Sequence, residues 1–161
     1  MKMNCESFYY SIDNVPEIIY SKNHLFAQYQ LFNDLIVIPN EKEFHDPAVF
    51  WSTVYHELTH RQFFRYQSSN QVEIDDDDSQ PFAECVAEAG AALLCKQSGV
   101  FELTKRDHIS YIKGWKPAFH YVSSLNKVIV VVLEMMAELL NKKIYRVDLP
   151  IEIRGLFLGN L

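Results

Sequence analysis

The segment Val54-Tyr55-His56-Glu57-Leu58-Thr59-His60-Arg61-Gln62 constrains this chain more than any other. It places two of only six histidines four residues apart, with a carboxylate beside the first. Residues four apart on an α-helix are offset by about 40° around the axis and about 6 Å along it. His56 and His60 therefore converge on one point if the segment is helical, with Glu57 flanking them about 100° away. The surrounding sequence predicts that helix. Asp46 is a capping residue, Pro47 suits a first turn, and apolar residues recur at Phe50, Val54 and Leu58, so a helix is expected from about 47 to 66. Helical projection puts Val49 and Phe63 within about 20° of His56, with Phe50, Val54 and Leu58 roughly opposite, so the helix is covered on both sides. Histidines in such a setting need polar partners.

A second helix supplies them. PFAECVAEAGAALLCKQ opens on Pro81 and is expected to end at Gly99. Glu84 and Glu88 are again four apart and share a face with Ala91, while Phe82, Val86 and Leu93 lie on the other. Ala83, Ala87, Ala91 and Ala92 are small enough for close approach to another helix. Neutral imidazole is a good zinc donor at about 2.0–2.1 Å, and a catalytic zinc site takes three protein ligands plus an open position for water. Glu84 is the expected third ligand beside His56 and His60, and Glu88 the expected hydrogen-bond partner of a ligand histidine. Spacing alone leaves these two roles exchangeable. Cys95, about 16 Å along the helix from Glu84, and Cys85, about 100° around from it, are expected to pack. His24, His45 and His120 have no partner at ligand spacing and are expected at the surface or as caps.

The rest of the chain divides once. From residue 7 to about 39 the runs SFYYSI, EIIYS, AQYQLF and DLIVIP alternate with turn residues and predict a small antiparallel β-meander. Beyond it the pattern is helical. The acidic stretch from 68 to 80, with Asp75 to Asp78, reads as a solvated loop without an evident function. Further helices are expected at about 107–115, stopped by Pro117, and at about 124–142. The tail IEIRGLFLGNL is compatible with a strand or with simple packing. The expected fold class is thus α+β, a small N-terminal sheet followed by a helical body that carries the histidine pair. With 161 residues, 48% of them hydrophobic, a single domain over residues 1–161 is expected.

Charge and cysteine usage exclude several function classes. Lys plus Arg number 15 against 21 Asp plus Glu, and the net charge of −6 disfavours binding to nucleic-acid phosphates or anionic lipid. The longest apolar run, ending before Glu134, is far shorter than the roughly 20 residues a membrane span needs. Three cysteines cannot all pair and form no close-spaced metal motif, and the N-terminus has no apolar signal core, so a cytoplasmic protein is expected.

The runs FWSTVYHELTHRQ, PFAECVAEAGAALLC and DHISYIKGW, in that order, resemble the zincin-type metallopeptidase domain of ArdC-type antirestriction proteins of plasmids and phages. NDLIVIPNEKEFHDPAVFW resembles the strand and loop that precede the active helix in that family. The resemblance covers roughly residues 15–140. It implies a gluzincin-like fold, with His56, His60 and a glutamate of the ECVAE block as zinc ligands and Glu57 as the catalytic carboxylate. His108 and Tyr111, in the third block, become candidates for a donor to the oxyanion. Two departures stand out. Those proteins also carry an N-terminal single-stranded-DNA-binding domain without a counterpart here, and their HExxH is often followed by a Trp-Thr-Gly-His type stretch where this chain has Arg61-Gln62-Phe63-Phe64.

The expected function is zinc-dependent hydrolysis of a peptide bond in a protein or peptide substrate, in mobile-element or host-defence conflict. No nucleic-acid binding by this domain and no membrane association are expected. Two alternatives remain: a zinc-stabilised binding module without catalysis, and a repressor-cleaving protease of the ImmA/IrrE type. By analogy, the strand at about 35–38 is expected to offer an edge to an extended peptide.

Overall fold

The computed structural model describes residues 4–22 and 26–158, so His24 lies outside the described residues. The architecture is α+β, a three-stranded sheet near the N-terminus followed by a helical body that carries the histidine pair.

The N-terminal segment differs from the expected meander in two ways. SFYYS is part of a helix, α1 (Cys5–Ser11), with Ile12 as its extended C-cap and Asn4 as its N-cap, whose Oδ1 accepts from Glu6 N–H at 3.0 Å. Its consecutive aromatic residues favour a strand, but the four-residue spacing of Cys5 and Tyr9 decides the outcome, because both are buried. The Tyr9 hydroxyl donates to the Pro16 carbonyl at 2.6 Å, and the Tyr55 hydroxyl donates to the Cys5 carbonyl at 3.2 Å. The sheet comprises β1 (Glu17–Ser21), β2 (Gln28–Gln30) and β3 (Leu35–Pro39) in the order β1-β3-β2. β2 pairs antiparallel with β3, as a hairpin should, but β1 pairs parallel with it. The antiparallel meander is therefore corrected to a mixed sheet. The physical reason lies in β3, whose Ile36, Val37 and Ile38 are all buried. A continuous apolar run fits the middle of a sheet, and the more polar flanking strands take the edges. Because both sides of β3 are paired, the peptide-pairing edge expected at 35–38 is not there; β1 and β2 are the edges.

The long helix α2 (Pro47–Ser69) starts as the sequence predicts, with Asp46 Oδ1 accepting from Ala48 N–H at 2.7 Å. α3 (Ser79–Ser98) contains Pro81 in its first turn and ends at Gly99, whose φ of 81° is the left-handed conformation that glycine adopts without strain. α3 runs through the centre of the body, against α2 and against α4 (Phe101–Trp115) and α5 (Val122–Leu139). The close approach of α2 and α3 needs Gly90. A Cβ there would overlap the Thr59 side chain, standing 2.9 Å from its Oγ1 and 3.2 Å from Met136 Cε.

α4 begins six residues before its expected start, because Val100 gives it no side-chain cap to mark the boundary. Its buried face is Phe101, Thr104, His108 and Ile112. The acidic stretch is only partly a solvated loop. Asp75 caps a short 3₁₀ turn, and buried Asp78 accepts the backbone N–H groups of His120 and Tyr121 at 2.7 and 3.2 Å, fastening the entry of α5. The tail forms a short helix, α6 (Ile151–Leu158). Among the described residues, no helix is long and apolar enough to cross a membrane.

Candidate metal centre

His56 and His60 face α3. Their Nε2 atoms are 3.0 Å apart. Glu84 reaches them from α3, with Oε2 3.5 Å from His56 Nε2 and Oε1 3.7 Å from His60 Nε2. One ligand atom from each of the three residues lies within 4.8 Å of the others, a grouping that could hold a metal ion. Glu88, one turn further along α3, approaches from the opposite side. Its Oε2 is 2.6 Å from His56 Nδ1, and its Oε1 is 2.6 Å from His108 Nδ1.

These contacts decide which lone pairs face inward. A carboxylate at Nδ1 holds the imidazole proton there, leaving the Nε2 lone pair of His56 directed at His60 and Glu84. Several lone pairs then converge, which is unfavourable without a cation or proton among them. Four-coordinate zinc with bonds of about 2.0–2.1 Å sets its donors about 3.3 Å apart. The separations of 3.0, 3.5 and 3.7 Å bracket that spacing, so these residues fit the ion and leave one position open.

Titration behaviour follows from the same geometry. Burial alone would lower the pKa of His56, but hydrogen bonds to Glu84 and Glu88 and the charge of Glu57 push it up to about 10. Burial would raise the two carboxyls, yet their histidine partners hold Glu88 at about 2 and Glu84 well below the carboxylate range. Without metal, His56 holds its proton between two ionised carboxylates.

Glu57 is buried on the neighbouring face of α2, and its Oε2 accepts the backbone N–H of Tyr29 at 2.8 Å. Tyr29 is the middle residue of β2. Alternate residues of an antiparallel edge strand turn their backbone groups away from the partner strand, and here the outward N–H meets Glu57. The Tyr29 hydroxyl donates to Asp34 Oδ1 at 2.8 Å, and Arg61 donates to both oxygens of Asp34, through Nε at 2.5 Å and Nη2 at 2.7 Å. Glu57 and Arg61 are four apart on α2, so successive turns of one helix hold Tyr29 directly at its backbone and, through Asp34, at its hydroxyl. Arg61 is 1% exposed. Sequence reasoning missed Tyr29, Asp34 and Arg61. The available signal was a charged residue four after Glu57, on the same face of a helix expected to be covered.

Tyr111 and His108 part company. The Tyr111 hydroxyl donates to Glu84 Oε2 at 2.7 Å, its ring meets His56 edge-on at 5.4 Å, and the residue is 40% exposed. It stands at the mouth of the site. His108 is fully buried, stacked on Phe101, with Nε2 3.1 Å from Thr104 Oγ1. An oxyanion donor has to reach substrate, and His108 sits behind Glu88 instead, because it belongs to the buried stripe of α4 and Tyr111 lies about 60° around the helix. His45 and His120 are exposed and outside the cluster. Cys85 and Cys95 are free and buried, and burial pushes both thiols up to about 12, as for packing residues.

Two histidines on consecutive turns of one helix, a glutamate from the next helix, and a carboxylate between that pair and a sheet edge define the zincin class of metal site. The sequence profile of the family described as zincin-like metallopeptidase matches residues 12–124, and the chain belongs to that family. No curated protein and no solved structure matches the chain.

Proposed function

We propose that the protein is a zinc-dependent peptidase that hydrolyses a peptide bond in a protein substrate. The observation that carries this reading is the convergence of His56 Nε2, His60 Nε2 and Glu84 on one point beside Glu57, a carboxylate fastened to the edge strand. His56, His60 and Glu84 would hold the ion, and Glu88 orients His56. Bound zinc would polarise the scissile carbonyl and acidify water at the open position. Glu57 has one oxygen committed to Tyr29 N–H, and its other oxygen takes the proton of the attacking water and passes it to the leaving amine. Tyr111 is the remaining candidate for stabilising the oxyanion. Burial and the neighbouring Glu84 raise its phenol pKa above the usual value, so it stays protonated and able to donate at neutral pH.

The setting proposed is conflict between mobile elements and their hosts, and it rests on the resemblance to ArdC-type proteins. Three free, buried cysteines suit a reducing cytoplasm. The deciding experiment is metal analysis of the purified chain, followed by a comparison of wild type and Glu57→Gln at equal zinc content. Cleavage of a co-purifying partner that depends on Glu57 supports the peptidase. Biological effect that survives the substitution favours a zinc-stabilised binding module. Cleavage of a repressor encoded beside this gene would place it with the ImmA/IrrE type.

A further inference from the structure

We propose that the groove beside the C-terminal part of α2, under the β2–β3 turn, is a substrate subsite for an acidic side chain, an inference that rests on the peptidase reading. The groove has a volume of 520 Å³ and is lined by Tyr29, Leu31, Asp34, Phe64, Arg65, Ser68 and Ser69. It adjoins the candidate active site at Tyr29, a lining residue whose backbone N–H is bonded to Glu57. By helical projection Phe64 and Ser68 lie within about 20° of Glu57 around α2, and Arg65 lies about 80° around it, on the side away from His56 and His60.

The charge balance of this groove selects the ligand. Asp34 is its only carboxylate lining, and both oxygens are already bonded by Arg61. Arg65 reaches the same carboxylate only at 3.4 Å. Two guanidinium groups therefore share one negative charge, an excess of one positive charge on a chain whose net charge is −6. Arg61 is buried and spent. Arg65 is 44% exposed and, among the described residues, has no other ionic partner. Ser68 donates its hydroxyl proton to the Phe64 carbonyl at 2.9 Å, which leaves Arg65 as the donor that a ligand carboxylate would meet. The half-exposed faces of Phe64 and Leu31 suit the methylene stem of a glutamate or aspartate. Arg65 is eight residues after Glu57, about 12 Å along the helix, and an extended peptide covers that distance in three to four residues. The acidic residue is thus expected three or four positions from the scissile bond.

The test uses the full chain loaded with zinc and a synthetic peptide mixture randomised in sequence, with cleavage sites mapped by mass spectrometry. Wild type should enrich Asp and Glu three or four residues from the cut by about fivefold, with the preference weakening as salt rises. Arg65→Ala should abolish the enrichment and Arg65→Glu should replace it with Lys and Arg, at unchanged metal content and melting temperature. Cleavage without acidic preference, or a preference that survives Arg65→Glu, overturns the subsite. Should wild type cut nothing, the subsite is read by binding of two fluorescein-labelled peptides that differ only in Glu against Gln. Tighter binding of the Glu peptide, lost in Arg65→Glu, upholds the groove while the peptidase reading fails; equal binding of both peptides rejects the groove as well.

Discussion

Glu88 and His56 are joined at 2.6 Å through Nδ1, on the side of the imidazole facing away from His60 and Glu84. One carboxylate therefore decides which nitrogen of His56 is available to a metal, and its second oxygen is steadied by a buried histidine, His108, on another helix. The candidate centre is built in layers, with α2 and α3 supplying donors and α4 bracing them from behind.

Removing the layers separately should weaken metal binding by different amounts. Glu84→Ala deletes a donor and should reduce zinc affinity more than Glu88→Ala, which leaves the donors but frees the His56 ring and should cost about 10- to 100-fold. Zinc titration against a competing chelator measures both. The reverse order would exchange the roles of the two glutamates.

Glu57→Gln keeps the size of the side chain and an oxygen able to accept from Tyr29 N–H, so the shape and the bound zinc should be preserved. Losing the group placed to take the proton of water should lower the rate of peptide hydrolysis by roughly 10²- to 10⁴-fold. Equal turnover by the two proteins at equal zinc content would refute the peptidase reading.

The Arg61–Asp34 pair sets an acid limit on stability. Hydrogen bonding from Arg61, against an opposing effect of burial, lowers the Asp34 pKa from 3.8 to about 2. The folded-state pKa lies below the unfolded one, so this stabilisation is present above pH 3.8 and is lost as the pH falls through 2. Chemical denaturation across that window should show a loss in wild type that Asp34→Asn lacks. At neutral pH Asp34→Asn should already be less stable, by roughly 1–3 kcal/mol, because Arg61 stays buried without its counter-charge.

Gly90→Ala should destabilise the protein by about 1–3 kcal/mol, since the added methyl meets Thr59 where α2 and α3 cross. Thr59→Ala in the same chain should recover part of that loss, a non-additivity readable from melting temperatures. Zinc affinity should fall along with stability in Gly90→Ala, because the same crossing sets the reach of Glu84. Strict additivity of the two substitutions would argue against the contact.

The chain should not bind single-stranded DNA tightly at physiological salt, given its net charge of −6. Submicromolar, salt-sensitive binding in a mobility-shift assay would show otherwise.

The amino-acid sequence by itself determined the features that depend on neighbours within a turn or two of helix. Asp46 and Pro47 start α2, Gly99 ends α3, and the four-residue spacing puts His56 with His60 and Glu84 with Glu88, because helix geometry and capping are settled by local backbone bonds. Tertiary structure decided everything that turns on residues far apart in the chain. The aromatic run around Tyr9 became helical because its four-residue face is buried, and β1 joined the sheet in parallel because β3 had the apolar run suited to the centre. Glu84 and Glu88 share one face of α3 and cannot be told apart by period. Their roles were divided by how α3 crosses α2, which Gly90 makes close, and by His108 taking up the far side of Glu88. The position of Arg61 on a covered face hinted at a buried charge, but its partner Asp34, 27 residues away, left no local mark, since the energy of a buried ion pair depends on a partner and a dielectric that exist only once the chain has folded.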